Sequence, residues 1–239
     1  MDKRNLKDLL YGQVARIGRA LASPKRLEIL ELLAQGEKTV ETLTRELGID
    51  VKLASAHLTA LKEASLVTSR SAGKYRVYQL SDHDGLARLN VALRSVATTH
   101  LQDLQSALQH VLSGPQPISA IDRRTLLAQA RRGEIVMLDV RPHDEYNTAH
   151  LPYARSMPLA ELEHRLAGLP RDKLIVAYCR GPFCMLSDEA VQRLLLLGFP
   201  AQKMADGISE WRAAGFRLAT AGRGKRVATL QVAATGPRS

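Results

Sequence analysis

The chain has 239 residues, 34 Lys and Arg against 24 Asp and Glu, and a formal net charge of +10. That length allows one large or two modest domains, and the cationic excess favours a polyanionic partner without fixing a fold. Two cysteines in the whole chain exclude a disulfide framework of the secreted type, and no stretch reaches the ~18 apolar residues of a membrane span.

The amino-terminal residues Met1-Asp2-Lys3-Arg4-Asn5 open no apolar leader, so a cytoplasmic protein without membrane contact is expected. Leu6, Leu9, Leu10, Val14, Ile17 and Leu21 recur at helical spacing and predict an amphipathic helix over residues 5–22. Ser23-Pro24 opens a second helix, with Ser23 as N-cap and Pro24 where a missing N–H costs nothing. Leu27, Leu30 and Leu33 line it, and Gly36 ends it. A third helix over residues 40–47 and a fourth over 51–64, capped by Asp50, meet around Gly48-Ile49-Asp50 and read as a helix-turn-helix. Two β-prone runs, 66–70 and 74–80, flank Ser71-Ala72-Gly73 and predict a hairpin. Arg70, Lys74 and Arg76 make its tip basic, which suits phosphates. A helix-turn-helix followed by a basic hairpin is a winged helix. Residues 83–112 are expected to form one long helix whose apolar surface calls for a symmetry mate, the alternative being packing within one chain.

The order of these elements, with Ser55-Ala56-His57-Leu58-Thr59-Ala60-Leu61-Lys62-Glu63-Ala64-Ser65-Leu66-Val67 and Gly73-Lys74-Tyr75-Arg76-Val77-Tyr78, resembles the ArsR family of bacterial repressors over about residues 5–112. The resemblance implies a homodimer on double-stranded, palindromic operator DNA, with the helix 51–64 in the major groove. Lys52, Ser55 and Thr59 are the expected reading face, and Arg70, Lys74 and Arg76 the expected backbone contacts. Two departures argue against a metal. The third helix, Thr39 to Leu47, has no thiol; and His100-Leu101-Gln102-Asp103 matches half of the family's second site, while Ala87-Arg88-Leu89 occupies the other half. Two ligands fall short of a closed site. No metal or cofactor is expected, and His100 is assigned to the dimer interface.

Ser113-Gly114-Pro115-Gln116-Pro117 marks a linker, dividing a domain over 1–112 from one over 118–218. From Arg217 onward there are five basic residues and no acid, and residues 219–239 read as a basic, disordered tail. Within the second domain, strands expected at 118–121, 135–140, 174–177 and 202–204 alternate with helices at 122–132, 186–197 and 207–214. Alternation of this kind means an α/β fold, a parallel sheet with helices on both faces whose ligands bind at the carboxyl ends of the strands. Both cysteines fall there, in Tyr178-Cys179-Arg180-Gly181-Pro182-Phe183-Cys184-Met185. Loop N–H groups, the positive end of the following helix and Arg180 predict a lowered thiol pKa at Cys179. Asp139-Val140-Arg141 emerges at the same end.

Leu138-Asp139-Val140-Arg141 with Glu145-Tyr146 and His150-Leu151-Pro152-Tyr153-Ala154, then Tyr178-Cys179-Arg180-Gly181, then Asp206-Gly207-Ile208-Ser209-Glu210-Trp211, resemble the signatures of a rhodanese domain over residues 117–218. The resemblance implies that Cys179 takes a sulfane sulfur from a persulfide, polysulfide or thiosulfate and becomes a persulfide. Asp139 and Arg141 would support it, or form a strand-end ion pair. Met185 stands where oxyanion-handling members carry Arg, which disfavours phosphatase chemistry. Cys184 is an extra for sulfur transfer. Its thiolate, attacking a persulfide on Cys179, would give a disulfide or a longer sulfur bridge; the plainer alternative is a small residue at a helix start. The two halves together point to a repressor that senses reactive sulfur through Cys179 and Cys184 and changes its operator affinity. A sulfurtransferase with an accessory DNA-binding domain is the alternative, and capture of a thiophilic ion by two thiols a weaker third.

Overall fold

The structure, a computed structural model, describes residues 2–111 and 122–221. The linker expected at 113–117, the strand expected at 118–121 and the tail beyond residue 221 lie outside the described residues.

Helices α1 (Lys3–Leu21), α2 (Pro24–Leu33), α3 (Val40–Leu47), α4 (Val51–Glu63) and α5 (His83–His100) build the first half, with strands β1 (Lys38–Thr39), β2 (Val67–Ala72) and β3 (Tyr75–Leu80). The strands form an antiparallel sheet in the order β1-β3-β2. Local chemistry sets the turn between α3 and α4. The Thr39 hydroxyl accepts from the Thr42 N–H at 3.2 Å and starts α3. Gly48, at φ +61°, ends it in the left-handed region that favours glycine. Asp50 then accepts from the Leu53 N–H at 2.9 Å and starts α4. Ile29, Leu33, Leu43, Leu58 and Leu61 are fully buried beneath these elements, so the winged helix has its own core.

Ser23 stands at the N-cap before Pro24 as expected, though its side chain makes no capping hydrogen bond. One expectation for this half needs correction. The helix expected over 83–112 is broken at Leu101, whose backbone is extended, into α5 and α6 (Gln102–Val111). Gln105 reaches back to the Thr98 and Thr99 carbonyls left open by that break.

The second half comprises α7 (Arg123–Arg132), β4 (Ile135–Asp139), α8 (His143–Thr148), β5 (Arg155–Ser156), β6 (Leu174–Tyr178), α9 (Leu186–Leu196), β7 (Ala201–Lys203) and α10 (Ile208–Ala213). Its four strands are parallel in the order β5-β4-β6-β7. Every residue of β4, and all of β6 after Leu174, is buried, as expected of strands covered on both faces. Separate apolar clusters fill the two faces, one around Leu138, Ile175 and Leu194, the other around Met137, Val176 and Trp211. The chain is still held at Ala219, which exchanges two 2.8 Å backbone hydrogen bonds with His150, so the first residues of the expected tail belong to the domain. No described helix is long and apolar enough to cross a membrane.

The carboxyl ends of the parallel strands face the winged helix, and charged side chains cross the junction. Lys38 of β1, 3 % exposed, meets Glu145 of α8 at 2.9 Å. Arg94 of α5 bridges Glu31 of α2 and Glu210 of α10. Arg141, after β4, donates to the Gln35 side chain at 2.8 Å and pairs with Asp139 through two bonds of 2.9 and 2.6 Å. Because Arg141 and Asp139 are both wholly buried, removing one charge strands the other away from water. Asp139→Asn is therefore expected to cost about 3–5 kcal/mol of stability, read as a lower midpoint in equilibrium urea unfolding.

Candidate functional site

Strand β6 lies between β4 and β7 and delivers Cys179 to the carboxyl edge of the sheet. The loop then curls back on itself: the Cys184 N–H donates to the Gly181 carbonyl at 3.1 Å. The Cys179 thiol lies 3.3 Å from the Cys184 carbonyl, 3.3 Å from the Ser187 hydroxyl and 3.8 Å from the Gly181 carbonyl. Cys179 and Cys184 are 2 % and 9 % exposed, both as free thiols.

The two thiols differ in acidity, in the opposite sense to the sequence expectation. The neighbouring Cys179 thiol favours the Cys184 thiolate and outweighs burial; the backbone of Arg180 and Leu186 and the Arg180 charge add to the effect, and the Cys184 pKa falls to about 7. Burial, followed by the neighbouring Cys184 thiol, pushes Cys179 up. The loop and helix-start backbone expected to favour a thiolate at Cys179 favours it at the second cysteine.

Arg180 does not point its guanidinium at either sulfur. Its Nε lies 3.1 and 3.0 Å from the two Glu145 oxygens, and its Nη2 lies 2.6 Å from Glu145 and 2.5 Å from Glu46 of α3. Burial alone would raise the Glu145 carboxyl; Arg180 and then Lys38 hold it below its ordinary value. On the other flank, Glu210 accepts the Gly207 N–H at 2.9 Å through one oxygen and pairs with Arg94 through the other. Gly207 is tight against the loop, for a Cβ there would sit 2.2 Å from the Arg180 carbonyl oxygen. Asp139 and Arg141 form the strand-end ion pair, completed by the Ala149 carbonyl and Gln35, and make no described hydrogen bond to a thiol. The structure thus brings together Cys179, Cys184 and the backbone of Arg180, while Asp139 and Arg141 brace the same edge from below.

Ser187, Glu46, Glu145, Arg94 and Glu210 were not singled out as site residues from the sequence. Glu145 and Glu210 were legible in part, since each is an acid inside an otherwise structural signature. Glu46 and Arg94 lie in the other half, and nothing local marks them. Among the described residues no cluster of three His, Cys, Asp or Glu side chains could hold a metal ion.

On the winged helix, Lys52, Ser55, Thr59, Arg70, Lys74 and Arg76 are all exposed. Arg70 is tied to Glu37 at 2.5 Å, and the Lys74 ammonium sits 5.2 Å from the Tyr75 ring centre.

Comparison with known proteins agrees with both halves. The model for bacterial regulatory proteins of the arsR family matches residues 23–69, and that for the rhodanese-like domain matches residues 122–214. The chain is 44% identical over 209 residues to the HTH-type transcriptional regulator Rv0324 of Mycobacterium tuberculosis, covering 87% of this chain and 91% of that protein. The chain is an ArsR-family transcriptional regulator with a rhodanese-like domain. The first half of the regulator is also 33% identical over 104 residues to an arsenical resistance operon repressor of Staphylococcus xylosus, covering 44% of this chain and 96% of that one. Among solved structures, it is similar to the homodimeric winged helix-turn-helix DNA-binding domain Mb0332 of Mycobacterium bovis, with 43% identity, a TM-score of 0.39, and coverage of 43% of this chain and 93% of that one.

The difference in acidity between the thiols has a direct readout. Iodoacetamide should label Cys184 ahead of Cys179, with a rate that rises through a midpoint near pH 7 as the thiolate forms. Peptide mass spectrometry across pH 5.5 to 9, on the order of the range that brackets both thiol forms, would check it.

Proposed function

We propose that the regulator binds operator DNA as a homodimer and senses reactive sulfur through Cys179 and Cys184, which lowers its operator affinity. The observation that carries this reading is two buried free thiols in one curled loop, the Cys179 thiol 3.3 Å from the Cys184 carbonyl, with the Arg180 of that loop ion-paired to Glu46 of the helix-turn-helix. Sulfur chemistry at the loop therefore has neighbours in the DNA-binding half.

The thiolate of one cysteine attacks the sulfane sulfur of a persulfide or polysulfide. A new S–S bond forms on the cysteine, and the donor's S–S bond breaks to release a thiolate or sulfide. The second thiolate then attacks the inner sulfur of the cysteine persulfide, giving a Cys179–Cys184 disulfide and HS⁻. Two thiols are oxidised by two electrons, and one sulfane sulfur is reduced to sulfide. Attack on a longer chain leaves a polysulfide bridge instead.

The exposed cations on α4 and the hairpin support contact with DNA phosphates. Dimerisation is supported by apolar side chains left uncovered in one chain: Leu9, Leu10 and Val14 on α1, Leu93 and Val96 on α5. The sulfurtransferase reading rests on Cys179 at its strand tip. It is less favoured for thiosulfate, because both guanidiniums that reach the loop, Arg180 and Arg94, are already engaged by carboxylates and offer a dianion little charge.

Inorganic polysulfide should join the two thiols, seen by intact-chain mass spectrometry, and weaken operator binding in a mobility-shift titration by roughly 5- to 150-fold. Thiosulfate should do neither at equal concentration. Equal operator affinity of treated and untreated protein would refute the sensor role; rapid thiosulfate turnover by a Cys184→Ser variant would favour the enzyme.

A further inference from the structure

The two thiols share their loop with the charged network that joins the halves of the chain. Arg180 stands at the centre of it. It directly follows Cys179, its carbonyl lies against Gly207, and its guanidinium spans Glu145 in its own domain and Glu46 in the other. Glu46 is no incidental partner. It is the penultimate residue of α3, one position before Leu47, whose side chain is buried in the winged-helix core and whose carbonyl is held by Lys25 at 2.8 Å. Gly48 and the Asp50 cap follow at once, so a pull on Glu46 acts on the turn that sets α4 relative to α3.

The charges facing this point come from several elements. Glu145 and Lys38 form one cluster with Arg180; Arg94, Glu31 and Glu210 form a second on the opposite side of Gly181. Glu145 is wholly enclosed and doubly paired, with Lys38 as well as Arg180, so it is the fixed member. The side chain of Glu46 is 16 % exposed and gains water when released, which makes it the partner that Arg180 can exchange.

We propose that the Arg180–Glu46 ion pair is the contact through which the chemical state of Cys179 and Cys184 reaches the helix-turn-helix. The inference rests on the sensor reading above and deepens it. Closing a Cys179–Cys184 bridge replaces the loose contact of the Cys179 thiol with the Cys184 backbone by a covalent link and draws the loop's two ends together. Arg180 moves with the loop, Glu46 loses its partner, and the α3–α4 turn loses a tether. Glu46 acts as a positioning residue; it touches neither sulfur.

Glu46→Gln keeps the size of the side chain and removes its charge, leaving both thiols intact. In the full chain, polysulfide should link the thiols of this variant as in the native protein. The ratio of operator affinities between untreated and treated protein, roughly fivefold or more in the native chain, should collapse to within about twofold. The variant should also alkylate Cys184 with a midpoint at lower pH than native, because Arg180, released from a competing carboxylate, is left to favour the thiolate. A variant that keeps the native affinity ratio overturns the proposal. If the variant binds operator in neither state, the alkylation profile decides, and an unmoved midpoint overturns it. A native chain without any affinity change would sink the sensor reading itself, whereas a responsive native chain with an equally responsive variant would remove only this ion pair.

Discussion

A carboxylate taken out of water needs cations around it, and Glu145 draws them from both halves of the chain. Lys38 comes from the first strand of the wing sheet and Arg180 from the loop that carries the thiols. Removing either partner would leave charge in a site with almost no solvent to screen it. This pairing fixes where the winged helix can sit: over the carboxyl ends of the parallel strands, with α5 against α10 and Gln35 on Arg141. The edge of an α/β sheet that ordinarily opens to ligands is here partly covered by the DNA-binding half.

That placement shapes the chemistry of the loop. Guanidiniums near a rhodanese-type cysteine could serve an anionic donor, but Arg180 and Arg94 are spent on carboxylates across the junction. What remains for the sulfur is the loop and the helix start: the Gly181 and Cys184 carbonyls and the Ser187 hydroxyl around the Cys179 thiol. Cys179, the deeper of the two, has its pKa pushed up by that burial. On the proposed reading this is a thiol pair prepared for bridging, and its loop is in contact with the element that would register the change.

Much of this was legible in the residues. Helical spacing, the Gly48-Ile49-Asp50 turn and the basic hairpin led to the winged helix, and the apolar runs of β4 and β6 to a buried parallel sheet. The break at Leu101 was not, because apolar periodicity continues across it and neither Gly nor Pro marks it. Cys179 and Cys184 stood out by rarity alone. Which of them bears the charge depends on how a six-residue loop folds back, and spacing carries no information on that. Glu46 and Arg94 were invisible for a related reason: their importance is a contact between domains, made by residues 134 and 116 positions from their partners. Asp139 and Arg141, read as either catalytic support or an ion pair, do pair with each other at the strand end.

The central claim is that the state of the thiols alters the helix-turn-helix through a shared, buried junction. Hydrogen–deuterium exchange of the full chain, reduced and after polysulfide treatment, tests it without relying on a known operator. The account predicts that amides at the end of α3 and the start of α4, around residues 45–54, lose protection along with the loop at 179–186 when the thiols are linked. Changed exchange confined to the rhodanese-like domain, with residues 45–54 exchanging identically in both states, would contradict it.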